Sequence, residues 1–161
     1  MQIGSRNTVA SRRKPGKRPA DAVFLDANIL MYAVGAAHTL REPCRAALER
    51  AVHRETPLVT DSEVLQELLY RYFAMRRPEI AKAVYAAAIR LCHEILPVGE
   101  PHTARALALL LGRPGLSARD AVHVATMESA RIRRILSTDR DFDAFSNIER
   151  IDPQAFLAQL P

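Results

Sequence analysis

The sequence predicts an α/β fold in which a parallel sheet of four to five strands carries helices on both faces. Short apolar runs alternate along the chain with longer segments of helical periodicity, an order typical of parallel sheets with crossover helices. The apolar runs are short and show little alternation with polar residues, which indicates strands that are buried on both faces. The 161 residues, 48% of them hydrophobic, are enough for one domain with a sizeable core.

The N-terminal segment 1–20 differs in composition from the rest of the chain. It contains six basic residues and no acidic residue, so that subtracting these charges from the net charge of +5 leaves −1 on residues 21–161. This composition predicts a disordered basic tail, 1–20, in front of one domain over 21–161. Three interpretations of the tail stay open: an RNA-binding arm, a solvated tail, or a segment upstream of the true start codon.

Residues 23–25 (VFL) form the first predicted strand, which stops abruptly at Asp26. A helix is predicted to begin near Ile29. Asp26 therefore lies at the carboxyl end of a strand, where open α/β sheets bind their ligands. The same position is also a helix N-cap, which aspartate fills well. This stretch alone does not distinguish a capping role from a functional one.

The second strand is predicted over Pro57–Thr60, and a helix follows over Asp61–Met75. Thr60 followed three residues later by Glu63 fits a capping box, which gives Glu63 a structural role. Glu67 lies one turn further along the same side of the helix, and no cap accounts for it. An acid flanked by leucines is either at the edge of the apolar face or functional.

The remaining elements follow the same alternation of strands and helices. Pro97 places the third strand at an edge of the sheet or ends it there. Ser117 followed by Asp120 fits a second capping box, so Asp120 also has a structural explanation. The fourth strand stops just before Asp139, again at an acid. The other predicted helices are 42–53, 80–93, 103–111, 116–131 and 154–160, and the other predicted strands are 95–98, 133–138 and 148–151.

Composition also excludes several classes of protein. Cys44 and Cys92 lie far apart and outside any CxxC pair, which favours buried free thiols over a disulfide scaffold or a cysteine zinc site. No apolar run approaches the length of a membrane span, and no apolar segment follows the basic N-terminus as in a signal peptide. We therefore expect a cytoplasmic protein without a membrane partner.

Four acids are expected at one edge of the sheet. Asp26 and Asp139 directly follow strands, whereas Glu67 and Asp120 lie on helices that begin at the same edge. Four clustered carboxylates repel one another unless they are compensated. Carboxylate oxygens without cysteine or a paired histidine motif suit Mg²⁺ or Mn²⁺ rather than Zn²⁺. Such a cation activates water and stabilises a phosphodiester during displacement.

Basic residues near these acids are candidates for substrate binding. Arg119 and Arg140 flank two of the four acids, and they either grip a substrate phosphate or belong to a solvated face. No basic residue is placed beside all four acids. His123 lies one turn after Asp120, and we expect a packed helix residue there, with a side chain facing the site as the alternative.

Four short motifs connect the acids to their neighbours in the sequence. They are Asp26-x-Asn28 at the end of the first strand, Glu67-Leu68 in the helix after the second strand, Asp120-Ala121 with Ala125 at the start of a later helix, and Ser137-x-Asp139 with Phe142 three residues on. In this order and spacing the motifs resemble those of the PIN domain family over about residues 22–153. The resemblance is strongest to the VapC-type toxins of bacterial toxin–antitoxin pairs.

The resemblance implies a three-layer α/β/α fold and a Mg²⁺-dependent endoribonuclease, with Mn²⁺ as a possible substitute. The four acids would hold the metal and position the attacking water, and Asn28 and Ser137 would orient those carboxylates. Members of the family usually form homodimers that act on RNA. They are silenced by a cognate antitoxin whose tail occupies the site.

Two features depart from the family pattern, the basic leader and the extra acids after the second strand. The extra acids leave two candidate ligands, and we prefer Glu67 because Glu63 has a capping role available. An inert PIN-like module that binds RNA or protein is the main alternative function, although retention of all four acids argues against it. A hydrolase with Asp26 as a covalent phosphate acceptor is a further alternative, but it normally has a second aspartate where this chain has Asn28.

Overall fold

A five-stranded parallel sheet forms the centre of the protein, in a computed structural model that describes residues 19–158. The strands are β1 (Val23–Leu25), β2 (Leu58–Asp61), β3 (Glu94–Leu96), β4 (Arg134–Leu136) and β5 (Glu149–Ile151). Their order across the sheet is β3-β2-β1-β4-β5, and every neighbouring pair is parallel. The predicted α/β class and the fifth strand are confirmed.

Seven helices connect or follow the strands within the described residues. They are α1 (Ala27–Val34), α2 (Arg41–His53), α3 (Ser62–Ala74), α4 (Pro78–Leu91), α5 (Glu100–Gly112), α6 (Ala118–Ala130) and α7 (Pro153–Ala158). A short 3-10 helix over Arg140–Ala144, which the sequence did not predict, leads from β4 towards β5. The end of the predicted last helix and residues 1–18 of the predicted tail lie outside the described residues, so the tail stays a prediction.

The strand order places the helices in two layers. Crossovers between parallel strands are right-handed, so the path from β1 through β2 to β3 carries α1–α4 to one face of the sheet. The return from β3 to β4 carries α5 and α6 to the other face, where these two helices pack against each other. As a result α3 and α6 lie on opposite faces and both begin at the carboxyl edge of the sheet.

Central and edge strands differ in burial as the sequence predicted. All three residues of the central strand β1 are fully buried, in keeping with the uninterrupted apolar run 23–25. Strand β3 lies at an edge, its first two residues are only half-buried, and Pro97 follows it directly. The predicted edge position of the third strand is therefore confirmed.

The predicted capping box at Thr60 and Glu63 is wrong by one residue. Strand β2 continues to Asp61, whose Oδ1 accepts a hydrogen bond of 2.9 Å from the Val64 N–H and caps α3. The Thr60 hydroxyl instead donates to the Leu25 carbonyl across the sheet. Glu63 is then the second residue of α3 and has no capping role.

The predicted N-cap at Ser117 is confirmed, because its hydroxyl accepts a hydrogen bond of 3.0 Å from the Asp120 N–H at the start of α6. The reciprocal half of the predicted capping box does not form, since the Asp120 carboxylate accepts a bond of 2.5 Å from the Ser117 hydroxyl. The cysteines are free and buried, and burial raises the pKa of Cys44 to about 11 and that of Cys92 to about 12. Both thiols are therefore unreactive at neutral pH.

Within residues 19–158, no helix has the length and apolar character needed to cross a membrane.

Candidate active site

A cavity of about 650 Å³ opens at the carboxyl edge of the sheet. It is lined by Asp26, Asn28, Glu63, Glu67, Ser117, Ala118, Arg119, Asp120, Val122, Asp139 and Asp141. The four acids proposed from the sequence therefore share one cavity. Ser137 is buried beneath this lining, whereas Arg140 is exposed and lies outside it.

Asp26 occupies the N-cap position of α1 but makes no side-chain capping hydrogen bond. The residue is 5% exposed, and its carboxylate uses Oδ2 for two other hydrogen bonds. Ser137 Oγ donates to this oxygen at 2.5 Å, and Asn28 Nδ2 donates to it at 2.6 Å. Of the two roles that the sequence left open, the geometry excludes helix capping for this side chain.

Ser137 joins the ends of β1 and β4. Its hydroxyl donates to Asp26 and also accepts hydrogen bonds of 3.0 Å from Asn28 Nδ2 and from the Asp139 N–H. Asn28 Oδ1 in turn accepts a bond of 3.3 Å from the Thr138 N–H. Asn28 and Ser137 thus hold Asp26 in one orientation, and their role in orienting a metal ligand stays a prediction.

Asp120, Asp139 and Asp141 form a close group of carboxylates. One oxygen of each lies within 4.8 Å of an oxygen of the other two. Asp139 caps the 3-10 helix, because its Oδ1 accepts a bond of 2.9 Å from the Asp141 N–H. Sequence reasoning missed Asp141, although an acid two residues after Asp139 in a turn was the available signal.

The donor set of this cavity fits a hard divalent cation. The acids that line the cavity offer carboxylate oxygens as ligand atoms. Mg²⁺ and Mn²⁺ prefer such oxygen ligands. Neither cysteine lines the cavity, and the buried side chain of His123 does not line it either. Zn²⁺, which prefers sulfur and nitrogen ligands, fits this set less well.

Burial perturbs the two innermost acids of the cavity. Desolvation raises the pKa of Asp26 to about 6, and the charges of Asp120 and Glu67 act in the same direction. His123 and the hydrogen bond from Ser137 oppose this rise. Burial also raises the pKa of Asp120. Ionising Asp26 and Asp120 without a counterion costs free energy, so a bound cation would stabilise the site.

His123 supplies a cation beneath the acids that the sequence did not reveal. Its Nδ1 lies 2.8 Å from Asp61 Oδ2, and the two side chains are 1% and 0% exposed. Burial lowers the pKa of His123, but Asp61, Asp26 and Asp120 together raise it to about 9. The residue is a packed one, as expected, with its ring 5.5 Å from that of Phe24. The raised pKa favours the protonated imidazole at neutral pH.

The mouth of the cavity carries an exposed ion pair between Arg119 and Glu67, with side chains 46% and 19% exposed. Both Glu63 and Glu67 line the cavity, so the capping argument against Glu63 no longer holds. Only Glu67 of these two has an ion pair with a basic residue among the described interactions. The choice between them as a ligand stays a prediction in favour of Glu67.

The PIN domain family model matches residues 23–148 of the chain. Ribonuclease VapC13 of Mycobacterium tuberculosis is 40% identical over 129 residues, which cover 80% of this chain and 98% of the relative. Ribonuclease VapC23 of the same species is 38% identical over 117 residues, which cover 73% of this chain and 92% of the relative. The family match begins at the first residue of β1 and ends just before β5.

Solved structures share the fold, and two of them illustrate it. The crystal structure of VapC20 from Mycobacterium tuberculosis, described as a toxin that cleaves the sarcin-ricin loop, has a TM-score of 0.63 at 22% identity, covering 76% of this chain and 93% of that one. A toxin–antitoxin complex from Klebsiella pneumoniae has a TM-score of 0.60 at 17% identity, covering 81% and 97%. The chain belongs to the PIN domain family, with VapC ribonucleases among its relatives.

Proposed function

We propose that this protein is a divalent-metal-dependent endoribonuclease and the toxin of a toxin–antitoxin pair. The observation that carries the proposal is the convergence of Asp26, Glu67, Asp120 and Asp139 on one cavity. The 40% sequence identity between this chain and Ribonuclease VapC13 supports RNA as the substrate. The proposed site of action is the cytoplasm, and the proposed assembly is a homodimer that a cognate antitoxin inhibits.

Asp120, Asp139 and Asp141 would hold the ion, since their oxygens already lie close together, and Asp26 and Glu67 would complete its environment. Mg²⁺ is the proposed ion, and Mn²⁺ would substitute for it. When bound, the ion supplies Lewis-acid polarisation of the phosphodiester and activation of water. Asp141 joins the proposed ligands on geometry alone.

Asp26 is the proposed anchor for the attacking water. Both of its side-chain hydrogen bonds end on Oδ2, and no described residue donates to Oδ1. Asn28 and Ser137 therefore leave Oδ1 to bind a ligand. Because its pKa is about 6, Asp26 is ionised at neutral pH and basic enough to accept a proton from water.

Substrate contacts are proposed for Arg119 and Arg140. A guanidinium binds phosphate through paired N–H donors, and Arg119 already lies at the mouth of the cavity. Binding of RNA would draw Arg119 away from Glu67 and free that carboxylate. Arg140 lies outside the cavity, so its contact would be with a phosphate beyond the cleaved bond.

The test is cleavage of a total small-RNA pool by the purified protein in Mg²⁺, Mn²⁺ or EDTA. We expect discrete fragments that require metal, and a loss of at least about 100-fold in Asp26→Asn, since metal-assisted charge stabilisation contributes several kcal/mol. Asp21→Asn is the matched control, because Asp21 is an exposed acid outside the cavity.

RNA binding without cleavage in any divalent metal would overturn the proposal and favour the inert binding module. Cleavage that persists in EDTA or in Asp26→Asn would also contradict it. A phosphorylated Asp26 would instead point to the covalent hydrolase.

A further inference from the structure

The buried pair of Asp61 and His123 lies next to the active-site cavity but does not line it. Neither side chain has access to solvent, so neither can contact RNA or a metal ion. The pair nevertheless joins elements that carry the cavity acids. Its contribution to the proposed reaction must therefore be exerted through other residues.

Asp61 bonds two elements at once. Its Oδ1 caps α3, the helix that carries Glu67, and its Oδ2 bonds His123 on α6. Asp120 lies one turn before His123 on that helix. Because α3 and α6 lie on opposite faces of the sheet, a single carboxylate sets the position of both helices relative to the end of β2.

His123 is also packed against the central strand. Its ring lies 5.5 Å from Phe24, which is two residues before Asp26. The imidazole is thus held between β1 and β2, and its attachment there limits rotation and sliding of α6. A shift of α6 by a fraction of a turn would separate Asp120 from Asp139 and Asp141, which it now approaches within 4.8 Å.

Stability alone is a weak reason for such a pair. Burying two charges costs desolvation energy, and apolar residues of similar volume often replace a buried ion pair without loss. Side chains that support metal ligands from behind, in contrast, commonly change metal affinity when they are altered. The location of the pair between three site-bearing elements favours the second kind of role.

We infer that Asp61 and His123 are positioning residues, which hold Asp120 against Asp139 and Asp141 so that the three carboxylates can share one divalent ion. This inference rests on the proposed function. It assigns to the pair a role in metal affinity that is separate from its role in folding.

The test is binding of Mn²⁺ to the purified full chain, followed by the electron paramagnetic resonance signal of free Mn²⁺. We expect His123→Ala to weaken binding by about tenfold, as for other residues that support metal ligands. His123→Asn should restore affinity, because its side-chain N–H can still donate to Asp61 from a similar position. Thr126→Ala is the matched control, since Thr126 is a buried polar residue of α6 that bonds only its own helix.

A second variant separates positioning from folding in case His123→Ala unfolds. Asp61→Ser combined with His123→Phe keeps an N-cap for α3 and an aromatic ring beside Phe24, removes the bond to α6 and leaves no buried amide without a partner. We expect this double variant to melt close to wild type and still to bind Mn²⁺ about tenfold more weakly.

Folded variants that bind Mn²⁺ as tightly as wild type would overturn the inference and leave the proposed function intact. Weakening of the same size in Thr126→Ala would also overturn it, because any damage to α6 would then suffice. Absence of Mn²⁺ binding by the wild type would instead refute the proposed function, and the inference with it.

Discussion

Two charge pairs connect α6 to the segment formed by the end of β2 and α3, and they differ in depth. The deep pair, Asp61 and His123, is almost completely buried, with side chains 0% and 1% exposed. The mouth pair, Glu67 and Arg119, is 19% and 46% exposed. A buried pair is fixed by the low dielectric around it, whereas an exposed pair competes with water, salt and ligands. The site thus has a floor, formed by the deep pair, whose contacts are fixed. At its mouth, the exposed pair can exchange its partners for water, ions or ligands.

The same contrast applies to the acids. Asp26 on the floor is held by hydrogen bonds from Ser137 and Asn28 and is nearly inaccessible. Asp141 at the mouth is exposed, and within residues 19–158 its hydrogen bond is the one that its N–H donates to Asp139. Orientation of the attacking water requires a fixed group, while entry of a metal ion and a charged RNA requires groups that can rearrange. The difference in burial therefore matches the two tasks that the proposed function assigns.

The largest expected effect is on the deep pair. His123→Leu leaves Asp61 as an uncompensated buried charge, so we expect a loss of about 3–5 kcal/mol in the free energy of unfolding. Urea denaturation at neutral pH measures it. A loss no greater than that of Arg119→Gln at the mouth would contradict the distinction between floor and mouth.

The next effect in size is stabilisation by Mg²⁺, and it should depend on pH. The pKa of Asp26 in the folded protein is about 6, above its ordinary value of 3.8. Between these two pH values the folded, metal-free protein keeps the Asp26 carboxyl protonated, whereas the unfolded chain loses the proton. Stability of the metal-free protein therefore falls as pH rises from about 4 to 6. Above that range the ionised site is ready for metal, and Mg²⁺ at 100 times its Kd should add about 2.7 kcal/mol.

Melting curves with Mg²⁺ and with EDTA at about pH 5 and about pH 8 measure this linkage. The upward shift in Tm should be large at the higher pH and small at the lower pH. Asp26→Asn is the control, and in this variant the shift in Tm caused by Mg²⁺ should depend less on pH. An equal shift at both pH values would show that the ionisation of Asp26 does not govern binding of the ion.

The smallest expected effect is on the mouth pair. Arg119→Gln should change the free energy of unfolding by less than about 1 kcal/mol, because exposed ion pairs contribute little. It should also tighten Mn²⁺ binding modestly, since Glu67 is released from its guanidinium partner. Arg105→Gln is a matched control, as the pair of Arg105 and Glu128 is similarly exposed, at 49% and 24%, and lies outside the cavity. Equal changes in Mn²⁺ affinity for both variants would contradict the assignment.

Much of the site was predictable because it depends on where strands stop. The apolar run 23–25 ends at Asp26, and the run before Asp139 ends in the same way. Parallel strands bring such ends to one edge, so the sequence predicts that the two acids are neighbours. Glu67 and Asp120 were expected at the same edge because the helices that carry them begin there.

Local details were less predictable where neighbouring residues compete for one role. Thr60 and Asp61 both suit the N-cap of α3, and the aspartate caps the helix because β2 extends one residue further than expected. That shift removed the structural role of Glu63. Asp141 was missed because a 3-10 helix has no periodic signal in the sequence.

The sequence by itself determined the alternation of strands and helices, the acids at the strand ends and the family of the chain, because these depend on local pattern and short motifs. Only the tertiary structure decided which charges meet. Asp61 and His123 are 62 residues apart, and Glu67 and Arg119 are 52 apart. Their pairing depends on the strand order, which brings α3 and α6 to one edge, and on burial, which decides that one pair is fixed and the other exchangeable.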